Sequence, residues 1–357
     1  MTPEISIQGR KIGPGHPPYI ICELSANHGG KLERALELID AAVVTGADAI
    51  KIQTYTPDTL TIDHLGADFK ISGGLWDGYT LYDLYKEAYT PYEWHPMLME
   101  RARQHGATLF STPFDESAIE LLSGLGAPAY KIASFEAIDL PLIARVARER
   151  KPLIISTGMT DVEEIDQAVS TARDAGATEL VLLHCVSTYP AKFGNANLRT
   201  IGDIAERFGV VAGLSDHTPG TACAVAAVAL GASVIEKHFT LRRADGGPDS
   251  AFSLEPEEFR RLVEDCNNAW LSIGSIDYSR SDEERGSRMF RRSLYVVADI
   301  AVGEALTARN VRSIRPGYGL APKHLPEVLG RKAARPLKRG EPLAWDDIGP
   351  AGALGAR

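Results

Sequence analysis

The stretch 210–238, VVAGLSDHTPGTACAVAAVALGASVIEKH, decides how this chain folds. It holds two apolar runs, Val210-Val211-Ala212-Gly213-Leu214 and Ala232-Ser233-Val234-Ile235, with the length and composition of buried strands. Between them, from about 218 to 231, lies a span of helical length. Strand, helix and strand in this order make a β-α-β unit, in which the two strands lie parallel. Each run leads into a histidine, in Ser215-Asp216-His217 and Glu236-Lys237-His238. In neighbouring parallel strands both imidazoles emerge at the same C-terminal edge. There they can share one metal ion and leave positions open for substrate or water. His217 also has a plain structural reading, because Ser-Asp-His-Thr-Pro resembles a helix start with proline in its first turn.

The same alternation runs through most of the chain. Short apolar runs occur at 19–24, 49–53, 108–112, 129–133, 153–157, 180–185, 210–214 and 233–239. Amphipathic stretches separate them, at 32–45, 93–104, 116–122, 140–148 and 162–175, with another at 256–273. Gly-Ala or Gly-Val pairs, such as Gly46-Ala47, Gly176-Ala177 and Gly209-Val210, sit where each helix should stop. Eight such units predict an α/β fold of the (β/α)8 barrel type rather than an open doubly wound sheet. The first run ends in Glu23-Leu24-Ser25-Ala26-Asn27-His28, without the G-x-G-x-x-G spacing an open sheet usually carries there.

Composition narrows the function. The 357 residues are 44% hydrophobic, enough for one large core and a smaller second domain. Lysine and arginine number 38 against 47 acidic residues, a formal charge of −9 with no basic run. That balance argues against nucleic-acid or membrane-surface binding, although converging lysines can still hold an anionic substrate. Cys22, Cys185, Cys223 and Cys266 are scattered, with no Cys-x-x-Cys. They read as buried reduced thiols of a cytoplasmic protein, not as a disulfide framework. Met1-Thr2-Pro3-Glu4 lacks the regions of a signal peptide, and no apolar stretch approaches the ~20 residues of a membrane span.

A barrel of this kind builds its site at the C-terminal strand ends. Glu23 closes the first run, and Lys51 and Gln53 alternate on one face of the second. The third ends in Ser111-Thr112-Pro113-Phe114-Asp115, and the fourth carries Lys131 and Ser134. The fifth ends in Ser156-Thr157-Gly158 and the sixth in Ser187-Thr188-Tyr189. His217, Glu236 and His238 come from the last two, and Gly246-Gly247-Pro248-Asp249 follows. Lys51 and Lys131 have apolar neighbours, which argues that both ammoniums face inward and need a counter-charge. With the hydroxyls of Thr112, Ser134 and Ser156 they suit a phosphorylated carboxylic acid; ion pairing with Glu23 or Glu236 is the other reading. Glu23 and Asp249 are candidate carboxylate ligands or water-orienting groups beside the imidazoles. His184 and Cys185 read as packing residues.

The pattern changes after about Gly274. Residues 279–292 are polar and charge-dense and read as a linker between a barrel domain, 1–278, and a tail domain, 293–357. The tail holds a weak repeat, Val302-Gly303-Glu304-Ala305-Leu306-Thr307 and Arg339-Gly340-Glu341-Pro342-Leu343-Ala344. Asn310-Val311 follows one copy and Asp347-Ile348 the other. Gly-Glu in each copy predicts a tight turn, and the pair predicts a β-rich module of approximate two-fold symmetry. At about 60 residues it is marginal alone and is expected to pack on a barrel.

Read in order, several peptides resemble the nonulosonic acid synthases, the family of sialic, legionaminic and pseudaminic acid synthases. They are Glu23 with Asn27-His28, Lys51-Ile52-Gln53, Ser111-Thr112-Pro113-Phe114-Asp115, Lys131-Ile132-Ala133-Ser134 and Ser156-Thr157-Gly158-Met159. Tyr189-Pro190, Gly213-Leu214-Ser215-Asp216-His217-Thr218, Glu236-Lys237-His238-Phe239-Thr240 and Gly247-Pro248-Asp249 continue the series. The likeness is collinear over nearly the whole chain, and the tail resembles the antifreeze-like SAF domain. It implies condensation of phosphoenolpyruvate with an acylated amino-sugar aldehyde, releasing phosphate and a nine-carbon 2-keto acid. It also implies that Lys51, Thr112, Lys131, Ser134 and Ser156 hold phosphoenolpyruvate. Ser187 stands where relatives often have Asn. His217 and His238 would bind a divalent metal, manganese by family habit, with magnesium or cobalt as substitutes. Glu23 would contact the sugar and help with proton transfer, while Gln53, Tyr189, Glu236 and Asp249 complete the pocket. Arg315 matches a tail-domain arginine that enters the partner subunit's barrel, which implies a homodimer with exchanged SAF domains.

The resemblance extends to the choice of sugar. The segment Gly74-Leu75-Trp76-Asp77-Gly78-Tyr79-Thr80-Leu81-Tyr82-Asp83-Leu84-Tyr85 and its continuation to Pro91 is similar to that of the pseudaminic acid synthases. Its other reading is a helix packing Tyr82 and Tyr85 on the barrel. Ser250 stands where sialic acid synthases commonly have His. Both features suit 2,4-diacetamido-2,4,6-trideoxy-L-altrose, which offers a methyl where mannosamine offers a hydroxyl. The rivals are a sialic or legionaminic acid synthase, a metal-dependent pyruvate aldolase, and a carbohydrate- or ice-binding protein. The last leaves the lysines and histidines without purpose.

Overall fold

Two three-residue strands, β1 (Ile5–Ile7) and β2 (Arg10–Ile12), open the computed structural model, which describes residues 3–279 and 281–350. Residues 1–2, Arg280 of the expected linker and 351–357 of the expected tail domain lie outside the described residues. β1 and β2 pair antiparallel through Gln8 and Gly9, whose φ values of +48° and +84° fit a tight hairpin turn. Strands this short have no period to read, so the sequence predicts nothing here. Ile5, Ile7 and Ile12 pack with Tyr19 and Val234 at the strand starts and plug the N-terminal end of a barrel.

That barrel is the predicted (β/α)8 fold. Its strands are β3 (Tyr19–Glu23), β4 (Ala49–Thr54), β5 (Thr108–Pro113), β6 (Tyr130–Ile132), β7 (Leu153–Ser156), β8 (Leu180–Cys185), β9 (Val211–Asp216) and β10 (Val234–His238). They close in chain order with β10 returning to β3, every pair parallel. Outward residues such as Ile20, Ile50 and Ile235 pack against the helical layer.

Inward residues form two layers. Ile21, Ala49, Phe110, Ala129, Ile154 and Leu183 belong to an apolar layer inside the barrel. Strand side chains alternate with period two, so the next inward residues are Glu23, Lys51, Thr112, Lys131, Ser156 and Cys185. The polar layer is thus the C-terminal continuation of the apolar one. One expected helix is shorter than its pattern: 218–231 yields only Ala222–Ala229. Pro219 and Gly220, at φ +68°, keep the chain after β9 in a loop. Among the described residues no helix is long and apolar enough to cross a membrane.

The chain divides into two units, Met1–Gly274 and Ser275–Arg357. The expected linker falls in the second unit and is not plain loop. Ser281 and Glu284 form a capping box that starts a short helix, Asp282–Gly286, and a single 3-10 turn, Ser287–Phe290, follows. β11 (Ser293–Val296) and β12 (Val311–Ile314) then pair antiparallel.

The repeat is visible in the backbone bonds of this unit. Gly303 N donates to Ala333 O and Ala333 N to Glu304 O; Gly340 N donates to Val296 O and Val296 N to Glu341 O. Ile300 and Leu337 exchange both bonds with each other, as residues beside a two-fold axis must. Asn310 and Asp347 each accept from a backbone N–H three residues earlier, Thr307 and Ala344. Leu294, Val296, Ile300, Leu306, Leu337 and Leu343 form its core.

Candidate active site

Glu23, Lys51, Lys131 and Glu236 meet inside the barrel mouth, none more than 4% exposed. Lys51 Nζ pairs with Glu23, lies 3.7 Å from Glu236 Oε1 and donates to Thr112 Oγ1 at 3.3 Å. Lys131 Nζ donates to both Glu236 oxygens at 3.1 Å, and Ser215 Oγ donates to Oε1 at 3.2 Å. The ammoniums therefore face inward, as their apolar neighbours predict, and are ion-paired there with Glu23 and Glu236.

The two carboxyls are driven apart. Burial pushes Glu236 up, but the Lys131 and Lys51 ammoniums outweigh it and hold the group at about 2. Burial also pushes Glu23 up, and there Lys51 offsets only part of the rise. Glu236 stays ionised, and Glu23 is the more readily protonated of the two. Burial lowers Lys131 despite Glu236, whereas Glu23 and Glu236 together overcome burial and raise Lys51. Gln53 Nε2 donates to Glu23 Oε1 at 3.1 Å and to Ser25 Oγ at 3.0 Å, which fixes the Glu23 carboxyl.

The rings of His217 and His238 lie 5.4 Å apart. His217 Nδ1 sits 3.2 Å from Val186 O, a contact that an N–H makes by donating, so Nε2 keeps its lone pair. Among the described residues His238 Nδ1 is buried without a partner, and burial and the nearby cations keep this ring neutral. The free Nε2 of His217 beside the neutral His238 ring suits a borderline divalent ion. Glu23 and Asp249 do not join them as ligands: among the described residues no three His, Cys, Asp or Glu side chains form a ligand set. Glu23 is taken by Lys51 and Gln53, and Asp249 by Ser25 Oγ, with His238 Nδ1 4.0 Å from its Oδ2.

Three serines line another part of the mouth. Ser134 Oγ accepts from Gly158 N at 3.1 Å. A Cβ on Gly158 would lie 2.7 Å from Ser134 Oγ and closer still to Ser187 Oγ, so the missing side chain is what lets these hydroxyls converge. Ser156 Oγ is buried and has no partner among the described residues. Converging and unpaired hydroxyls make a cradle for anionic oxygens.

Aromatic rings form the rim. Tyr189 lies 4.5 Å from His217 and 5.2 Å from Phe252, which lies 4.8 Å from His238. The aromatic segment divides in two: helix Leu81–Ala88, where Tyr85 packs edge-on against Tyr55, and a preceding hairpin bearing Trp76. Tyr82 does not pack inward; its hydroxyl reaches Asp58 at 3.3 Å. Arg315 belongs to the second unit, immediately after β12.

Three site residues escape the sequence reading. Ser25, at φ +44°, donates N–H to Glu23 Oε1 at 3.1 Å and Oγ–H to Asp249, tying the two carboxyls together. Cys185, read above as a packing residue, touches the site: its Sγ lies 3.8 Å from His217 Nδ1 and 3.7 Å from Ser187 Oγ. Burial pushes this thiol up, but the His217 imidazole prevails and brings it to about 7; His217 rises in turn although burial opposes it. The inward row Val181, Leu183, Cys185 was the available clue, and His184 does face outward, donating to Ala196 O at 2.7 Å. Glu136, on the turn Ser134–Glu136, keeps Oε2 buried without a partner among the described residues, and burial raises it to about 7. Its only sequence clue is its place just past a strand end.

The NeuB family profile matches residues 38–278, and a SAF domain profile matches 291–349. The pseudaminic acid synthase of Helicobacter pylori is 46% identical over 335 residues, which cover 93% of this chain and 98% of that protein. The N,N'-diacetyllegionaminic acid synthase of Legionella pneumophila is 36% identical over 335 residues, covering 92% and 94%. The crystal structure of the N-acetylneuraminic acid (sialic acid) synthetase of Leptospira borgpetersenii aligns with a TM-score of 0.72 at 32% identity. That alignment covers 82% of this chain and 97% of the other. This chain belongs to the NeuB family of synthases, and its second unit carries a SAF domain.

Proposed function

We propose that the protein is a pseudaminic acid synthase, condensing phosphoenolpyruvate with 2,4-diacetamido-2,4,6-trideoxy-L-altrose and releasing phosphate. The observation that carries this reading is the buried group Glu23, Lys51, Lys131 and Glu236 at the mouth that also holds two imidazoles. The choice of sugar rests on the higher identity to the Helicobacter pylori enzyme than to the Legionella pneumophila one, 46% against 36%.

Lys51 and Lys131 neutralise the phosphate and carboxylate of phosphoenolpyruvate, and Thr112, Ser134, Ser156 and Ser187 hydroxyls hold their oxygens. Carbon 3 of the enol attacks the sugar aldehyde, and protonated Glu23 gives its proton to the developing alkoxide. Glu23, now ionised, takes a proton from the water that adds to carbon 2. The resulting hemiketal phosphate loses phosphate to leave the 2-keto acid. His217 and His238 would hold a divalent ion, manganese first, which would supply Lewis-acid polarisation when bound. Gln53, Tyr189, Glu236 and Asp249 position the acceptor and Glu23.

By family likeness we also propose a cytoplasmic homodimer with exchanged SAF domains, in which Arg315 serves the partner's barrel. Phosphate release with three aldose acceptors tests the reading; faster turnover of N-acetylmannosamine than of the trideoxy sugar overturns it. Chelation should abolish activity and manganese restore it, and a fully active His217→Ala/His238→Ala variant refutes the metal. Mixed Lys131→Ala and Arg315→Ala chains should recover some activity. No recovery under verified subunit exchange means that Arg315 acts within its own chain.

A further inference from the structure

The segment between β4 and helix Leu81–Ala88 forms a hairpin. Lys70 and Thr80 bridge its stem, Ile71 N donates to Tyr79 O at 2.9 Å, and Gly78 N donates to Ile71 O at 3.1 Å. Near its tip stands Trp76. Its indole N–H donates to Pro248 O at 2.9 Å, and its ring lies 5.5 Å from Tyr189. Trp76 therefore joins the loop after β4 to those after β8 and β10. Through Tyr189 and Phe252 the aromatic surface continues to both imidazoles.

This wall has a direction. Lys51, Lys131 and Glu236 lie within the strands, the imidazoles at the strand ends, Tyr189 beyond them, and Trp76 outermost. An acceptor that extends along this wall from an aldehyde beside the lysines brings its far end to Trp76. The one N–H of that indole is already committed to Pro248, so the ring offers hydrocarbon only. A methyl is at home there. A hydroxyl would lose water and gain no partner from the indole.

We propose that Trp76 is a specificity-determining residue, seating the C6 methyl of a 6-deoxy amino-sugar and disfavouring an acceptor with a hydroxyl at that carbon. The inference rests on the reaction proposed above and names the group that selects its acceptor. The test compares the trideoxy diacetamido sugar with the same sugar bearing a 6-hydroxyl, reading kcat/KM for wild type, Trp76→Phe and Trp76→Ala. Wild type should prefer the deoxy sugar by about 10²-fold, the order of discrimination that an apolar pocket exerts against one added hydroxyl. Trp76→Phe should keep most of that preference. Trp76→Ala should reduce it to about 10-fold or less through the sugar KM, with the KM of phosphoenolpyruvate unchanged. An active Trp76→Ala with the wild-type preference overturns the inference alone. Failure of wild type to use either diacetamido sugar overturns the proposed reaction instead. If Trp76→Ala does not fold, fluorescence decides: the deoxy sugar should shift the emission of wild type but not of Trp76→Phe. Equal shifts in the two overturn the inference.

Discussion

Lys237 Nζ donates to Asp216 Oδ2 at 2.6 Å, and the two residues are register partners on adjacent strands. Neither side chain is more than 1% exposed. Lys237 also donates to Thr218 O at 2.6 Å, while Asp216 Oδ1 accepts from Thr218 N and Oγ1. These are the outward residues of β9 and β10, and His217 and His238 are their next neighbours in sequence, facing inward. A buried ion pair on one side of the sheet thus sets the spacing of the imidazoles on the other. Removing one partner leaves an uncompensated buried charge, so Lys237→Met is expected to cost about 3–5 kcal/mol. Asp216→Leu/Lys237→Met should recover most of that loss. Denaturation midpoints check the stabilities. Divalent-ion affinity of the double variant should stay well below wild type, because the strand ends lose the bonds to Thr218.

Glu23 and Glu236 should fail differently. Glu23→Gln keeps the shape and the neighbours but removes the proton carrier proposed above, so kcat should fall by about 10²–10⁴ with the fold intact. Glu236→Gln withdraws the charge that Lys131 and Lys51 share, and a stability loss of about 3 kcal/mol or more is expected. Steady-state kinetics and thermal midpoints on both variants separate the roles. A Glu23→Gln enzyme with near wild-type kcat removes Glu23 from the proton-transfer step.

Gly158→Ala tests the serine cradle by filling it. Gly158 is not in the left-handed region, so the backbone accepts a side chain there without strain. The added methyl meets Ser134 and Ser187 hydroxyls instead, and they must separate. Affinity for phosphoenolpyruvate is expected to fall by about tenfold or more, with overpacking costing about 1–3 kcal/mol of stability. Calorimetric titration of phosphoenolpyruvate and a denaturation curve measure the two effects. Unchanged affinity would place the phosphate elsewhere.

The barrel and much of its site were legible because each strand is a short apolar run whose inner row turns polar at one fixed depth. Ile21 then Glu23, Ala49 then Lys51, and Ala129 then Lys131 repeat one pattern, and the chain alone displays it. Three kinds of information were not legible. Ser25 links Glu23 to Asp249 only because its backbone adopts a left-handed conformation, which the letter Ser does not announce. Cys185 looked apolar because a thiol packs like a methyl; its position in the inward row outweighs its composition. Trp76 depends on a long-range contact with Pro248, and no local period encodes such a pairing.

His28 gives the fold an acid limit. Its ring is 3% exposed and meets the edge of Trp94 at 5.5 Å. Gly30 N donates to Nδ1 at 3.1 Å, so the ring proton sits on Nε2, facing Thr90 Oγ1 at 3.3 Å. Protonation would set two N–H groups head to head at Nδ1, and burial pushes the group from 6.5 down to about 4. Between those values the unfolded chain binds a proton that the folded chain refuses. This part of the stability is complete above pH 6.5 and is lost as pH falls towards 4, by about 3 kcal/mol over the window. His28→Gln cannot titrate, so the difference in unfolding free energy between wild type and variant should shrink by that amount from pH 7.5 to 4. Urea unfolding across that range measures it. A pH-independent difference would mean that the buried imidazole takes up its proton without cost, contrary to the geometry around Gly30.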